Sequence, residues 1–145
     1  MNKEINTEII IRTTPEEVWN ILTDFQNYPK WNPFIHSLTG DVAVRNRIKV
    51  LLVPPGSKGM TFKPVVLVYE PNKEFRWLGH LLLPGLFDGA HRFEIIDNGD
   101  DTVTFRQSEQ FSGLLVSWFM KTQSENTKKG FEALNQKIKE RAENM

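Results

Sequence analysis

Cysteine is absent from the chain, which excludes disulfide staples, thiolate nucleophiles and Cys-based zinc or iron–sulfur sites. Net charge is absent as well. Eighteen basic residues balance eighteen acidic ones, and no run of five or six basic residues occurs, so no nucleic-acid partner is expected. No apolar run approaches the ~18 residues that a membrane-crossing helix needs, and no transmembrane segment is expected. The opening residues MNKEINTEIIIRTT hold no apolar stretch of signal-peptide length, so a cytoplasmic location is the default expectation. Histidine is scarce: His36, His80 and His91 fall in no HExxH or other metal-ligand spacing, and no metal site is expected. With no phosphate-cradling glycine loop and no Ser–His–Asp-type arrangement, no cofactor is expected either.

What the chain does have is aromatic volume. Ten Phe and four Trp stand among 145 residues, and that volume must go into a core, a ligand cavity, or both. The length suits one domain, residues 1–145, and allows roughly 70% of the unfolded surface to be buried without a staple.

Residues 4–12 are rich in β-branched side chains and predict a strand. Thr13-Thr14-Pro15-Glu16-Glu17 then combines an N-cap, a first-turn Pro and a capping-box spacing. Val18, Ile21, Leu22 and Phe25 continue it as one apolar helical stripe. Pro29 and Pro33 end regular helix and predict a turn or a second short helix. Strands are predicted over 35–42, 45–53, 60–70, 73–80, 88–97 and 102–111, separated by turn residues, with Pro64 marking an edge or a bulge. Consecutive strands with short turns imply an antiparallel meander. A helix about 40 Å long is predicted over 114–142, with Val116, Phe119, Gln123, Thr127, Phe131, Leu134 and Ile138 on one stripe.

Alternation makes the inward faces legible. Val103, Phe105, Gln107, Glu109 and Phe111 share one face, opposite an all-polar face. Phe93 and Ile95 form the matching set, which extends back to His91 and Gly89. The expected hairpin pairs Ile95 with Val103, Phe93 with Phe105, His91 with Gln107 and Gly89 with Glu109. Its inner face is then apolar at the turn and polar at the far end. A carboxylate buried without partners costs several kcal/mol, so this end is hydrated, ligand-filled or internally paired. The alternatives are a His–Glu pair that closes one end of a core, or a polar anchor inside an apolar cavity.

The segment GHLLLPGLFDGA is apolar where a connection is normally polar. It is either a long hairpin packed on the domain or a flap over a cavity, a gating loop of Leu83, Pro84, Gly85, Leu86 and Phe87 with Pro84-Gly85 as its tip and the loop holding Pro54, Pro55 and Gly56 as the opposite lip.

The N-terminal strand, Thr13-Thr14-Pro15-Glu16-Glu17-Val18-Trp19, the stretch Asp24-Phe25-Gln26-Asn27-Tyr28-Pro29-Lys30-Trp31-Asn32-Pro33-Phe34 and the late Lys128-Lys129-Gly130-Phe131-Glu132-Ala133-Leu134-Asn135 together resemble the START-like helix-grip superfamily. Within it, the resemblance is to the SRPBCC, or polyketide cyclase/dehydrase-like, family. It covers essentially the whole chain. It implies an α+β helix-grip fold: a curved seven-stranded antiparallel sheet around a long C-terminal helix, with two short helices after the first strand. It also implies a pocket for lipids, sterols, polyketides or plant hormones, gated by loops like 53–59 and 80–89. Some members of this family are aromatase/cyclases and others only carry ligands, and a fold does not choose between them.

Three functions follow as expectations. The first is binding of a hydrophobic small molecule by Trp31, Phe34, Leu51, Phe62, Trp77, Phe93, Phe105, Phe119 and Phe131, with His91, Gln107 and Glu109 as polar anchors. The second is an enzyme using His91 and Glu109 for acid–base work on a carbonyl compound. The third is an interaction module or homodimer formed through the apolar 81–87 segment.

Overall fold

The computed structural model describes residues 3–80 and 84–144. Strand β1 (Lys3–Ile11) leads to helix α1 (Pro15–Leu22), whose Thr14 hydroxyl accepts from the Glu17 amide at 3.2 Å, as the capping signal predicts. A 3-10 turn (Phe25–Asn27) and the short helix α2 (Tyr28–Trp31) follow. The buried Tyr28 hydroxyl donates to Leu22 O and ties α2 back to α1. Asn32 closes this segment: its Oδ1 accepts from Phe34 N at 3.0 Å and from Ile35 N at 2.7 Å, setting the entry into β2.

Strands β2 (Ile35–Thr39), β3 (Lys49–Leu52) and β4 (Met60–Phe62) form one antiparallel sheet in the order β2-β3-β4. Strands β5 (Val65–Glu70), β6 (Glu74–His80), β7 (Asp88–Asp97) and β8 (Val103–Ser112) join β1 in a second, ordered β1-β8-β7-β6-β5. The two sheets meet where Val66 N donates to Asn46 O and Ile48 N to Pro64 O, both at 2.9 Å. The result is the expected α+β helix-grip architecture, with eight strands among the described residues where seven were predicted. The extra strand arises at Pro64, which has no amide hydrogen for a ladder and divides 60–70 into β4 and β5.

The predicted single closing helix is two: α3 (Val116–Thr122) and α4 (Ser124–Glu143), with Gln123 out of helical geometry at φ −124°. Thr122 Oγ1 donates to Trp118 O at 2.9 Å and Ser124 Oγ to Met120 O at 2.6 Å, back-bonds that compete with the helical ladder. The 20-residue α4 is about 30 Å long and packs on β1, β8 and α1 through Phe131, Leu134, Ile138 and Ala142.

The β7–β8 hairpin keeps the predicted faces but is shifted by two residues. Ile95 pairs with Phe105, Phe93 with Gln107, His91 with Glu109 and Gly89 with Phe111. The cause is the turn. Asn98 N donates to Thr102 O, and Gly99 (φ 77°) and Asp101 (φ 66°) both occupy the left-handed region, so three residues form the loop. A shift of two leaves every side chain on its face, because the strand repeat is two.

Candidate functional site

The solid part of the interior is built first. Phe75, Phe93, Phe105 and Phe131 are fully buried, and Phe34 is 1% exposed. Phe93 lies 5.9 Å from Phe75 and 6.2 Å from Phe105, ring centre to ring centre. Phe34 meets Phe131 edge-on at 5.5 Å across Gly130, where a side chain would strike the Phe34 ring.

Beyond this block the interior opens into a cavity of about 360 Å³. Seven aromatic rings line it: Phe34, Phe62, Trp77, Phe87, Phe111, Trp118 and Phe119. Leu52, Met60, Pro54 and Leu115 add aliphatic wall, and Ser57, His80, Glu109, Gln123 and Thr127 supply polar atoms. Gly79 and Gly89 sit directly opposite each other on β6 and β7 and line the same space.

Of the predicted residues, Phe34, Phe62, Trp77, Phe119 and Glu109 reach the cavity, as do Pro54 and Phe87 from the two loops. The others lie elsewhere. Phe93, Phe105, Phe131, His91 and Gln107 do point inward, but they are packed to zero exposure and fill the block behind the cavity. Trp31 is buried against Tyr28, with the Arg141 guanidinium 4.8 Å above its ring, and supports α2 instead of a ligand. Leu51 has the wrong parity on β3; its neighbour Leu52 faces the cavity. Pro55, Gly56, Pro84, Gly85 and Leu86 do not line it, and Leu83, with Leu81 and Leu82, lies outside the described residues. Phe87, half-buried, packs between Phe111 (5.5 Å) and Phe119 (4.8 Å).

The shifted register places His91 and Glu109 side by side. His91 Nδ1 lies 3.3 Å from Glu109 Oε1, within ion-pair range though not in hydrogen-bond geometry. His91 Nε2 lies 2.9 Å from Gln107 Oε1. A Cβ on Gly89 would collide with Glu109 Oε2, so the glycine is what lets the carboxyl lie in the wall. At the rim, His80 Nδ1 and Asp88 Oδ1 approach to 2.6 Å.

Several lining residues escape sequence reasoning: Leu52, Met60, Leu115 and Trp118 lie on elements whose mutual placement is set only in three dimensions. One signal was legible. Glycines inside predicted strands, Gly79 and Gly89, mark either a bulge or a place left open.

A curved sheet, a closing helix and an aromatic cavity between them define the helix-grip class of ligand-binding folds. The chain belongs to the family described as "Polyketide cyclase / dehydrase and lipid transport", whose family model matches residues 3–143. Its backbone is similar to that of the Zhui aromatase/cyclase from Streptomyces sp. R1128 (TM-score 0.78, 9% identity, covering 99% of this chain and 94% of that one). It is also similar to a START superfamily protein from Mycobacterium smegmatis (0.73, 18%, 97% and 97%). A third is a point mutant of norcoclaurine synthase from Thalictrum flavum in complex with a transition-state analogue (0.74, 14%, 98% and 94%). At these identities the likeness is one of fold. No curated protein matches the chain significantly. Among the described residues, no helix is long and apolar enough to cross a membrane.

Proposed function

We propose that the protein binds an apolar, ring-bearing small molecule in the cavity between the sheet and helices α3 and α4. One observation carries this: about 360 Å³ of interior is left unfilled behind walls of seven aromatic rings, in a fold whose remaining interior is closely packed. Phe87 and Pro54, brought to the cavity by the two loops, are the gates of this proposal. The test uses N-phenyl-1-naphthylamine, a neutral probe that fluoresces in apolar surroundings. Saturable binding with one site per chain is expected, and Leu52→Trp, which fills the cavity from β3, should weaken it at least about tenfold. A probe that binds both proteins equally well counts against the cavity.

A second function is favoured by the placement of Glu109 in the wall with His91 behind it. In this version the pair removes a proton beside a substrate carbonyl and delivers it to the departing hydroxyl as water forms, as cyclisation with dehydration requires. Deuterium uptake next to the carbonyl of 2-acetylnaphthalene in heavy water reads the first half of that step. Uptake that vanishes in Glu109→Gln, with probe binding retained, supports the enzyme; absence of uptake in the native protein leaves the binding function alone.

A further inference from the structure

The polar side chains behind the cavity form one continuous chain whose direction is set at two places by backbone. Thr7 Oγ1 lies 2.8 Å from Gln107 O, and a carbonyl only accepts, so the Thr7 hydroxyl donates. Its lone pair therefore receives Asn135 Nδ2 at 2.8 Å. Asn135 Oδ1 then receives Gln107 Nε2, also at 2.8 Å, and the same amide nitrogen donates to Phe131 O at 3.2 Å. Both amides are thus oriented without ambiguity, and Gln107 turns its oxygen toward His91 Nε2, 2.9 Å away. An oxygen there requires that Nε2 carry the hydrogen. A neutral His91 consequently has a bare Nδ1, and it is this atom that faces Glu109 Oε1 at 3.3 Å.

Nδ1 makes no hydrogen bond, and the carboxyl it faces, that of Glu109, lines the cavity. His91 has no exposure, and its ring is enclosed by Phe34, Trp77, Phe93 and Phe131. The other nearby ionisable pair, His80 with Asp88, is engaged with itself at the rim. Nδ1 therefore meets the Glu109 carboxylate either bare or, in the imidazolium, as an N–H within ion-pair range of Oε1. In both states Oε2, the oxygen beside Gly89, carries no proton and can only accept. The opposite tautomer would behave differently: with a hydrogen on Nδ1, a neutral Glu109 would have to hold its own proton on Oε2, as a donor.

We infer that the Thr7–Asn135–Gln107–His91 chain holds Glu109 as a hydrogen-bond acceptor at the polar end of the cavity. The site thereby selects apolar ligands that carry a hydroxyl or other donor, and turns away carboxylates. The inference rests on the binding function proposed above and names the ligand class. Gln107 and His91 are positioning residues: they act on the ligand through Glu109.

The experiment measures, by calorimetry at neutral pH, the affinities of 2-naphthol, 2-methoxynaphthalene and 2-naphthoate, which share one ring system. The native protein should bind the naphthol about tenfold tighter than the methoxy compound, the scale of one hydrogen bond to a charged group, and bind naphthoate weakest. Glu109→Gln should keep the naphthol preference, because the bare Nδ1 draws the amide N–H and leaves the amide oxygen in the cavity. A variant that instead prefers the methoxy compound has its amide reversed, and the inference fails. It also fails if native protein binds all three probes but naphthoate as tightly as naphthol, an outcome that leaves the cavity itself standing. If no probe binds, the cavity function falls and the inference with it. Nitrogen-15 spectra of the native protein decide the tautomer independently of any variant: His91 Nε2 should carry a hydrogen, and a protonated Nδ1 with bare Nε2 overturns the inference.

Discussion

Around Phe131 the space between sheet and helix is solid, whereas around Phe119, twelve residues earlier in the chain, it is hollow. Both regions are aromatic, so residue type does not separate them. What separates them is what converges from the other side. Phe131 meets Phe34 and His91 and is backed by Leu134 and Ile138 on α4. Phe119 faces Phe87 and Phe111, but the wall beyond includes Gly79, Gly89, Ser57 and Thr127, which leave room among the larger side chains. The break at Gln123 divides the helix near this boundary, with α3 beside the hollow end and most of α4 on the solid end.

The sharpest way to break this contrast is to cut one ring from each end. Phe105→Ala removes a fully buried ring and should cost about 3–5 kcal/mol in urea unfolding, whereas Phe119→Ala, at a half-buried position, should cost only about 1 kcal/mol while weakening probe binding. Equal losses would show that the cavity wall is as structural as the core. Next in size is Gly89→Ala, whose Cβ would strike the Glu109 carboxyl. Because the carboxyl is the end of a flexible side chain and can swing away, a stability loss of only about 1 kcal/mol is expected, together with loss of the naphthol preference but not of 2-methoxynaphthalene binding.

Tyr28 sharpens the comparison from the solid end. Burial, with smaller effects from Tyr69 and Asp24, pushes its hydroxyl far above the ordinary value of 10.0. The folded state therefore holds the proton longer than the unfolded chain. The corresponding stability is fully present below pH 10 and is lost as pH rises above it, so unfolding monitored by circular dichroism should accelerate there. In Tyr28→Phe this alkaline loss should shrink, at a cost of about 1 kcal/mol at neutral pH for the hydrogen bond to Leu22. The smallest expected effect on stability is that of Thr127→Leu, which fills the hollow end from α4. Its thermal unfolding should be unchanged or improved by up to about 1 kcal/mol, while N-phenyl-1-naphthylamine loses its place.

Much of the fold was readable in advance because the signals are local. The Thr14 cap, the β-branched first strand and the alternation of 103–111 each act within a few residues, and each reappears in the structure. The hairpin register was readable only modulo two, since alternation tells faces apart but the loop at Gly99–Asp101 decides how far the strands slide. The closing helix reads as single because Gln123 keeps the stripe's spacing, while the hydroxyls of its neighbours Thr122 and Ser124 bond the preceding turn. In the candidate site, Glu109 and Phe34 were visible, whereas Met60 and Leu52 were not.

Composition and periodicity by themselves determined which faces turn inward, where the first helix begins, and that no cysteine chemistry takes part, because each of these depends on a residue and its near neighbours. Where the interior is filled and where it stays open was decided only by the tertiary structure. That outcome depends on the side chains that β3, β6, β7, α3 and α4 bring to one point, and on the two-residue slide that sets Glu109 beside His91.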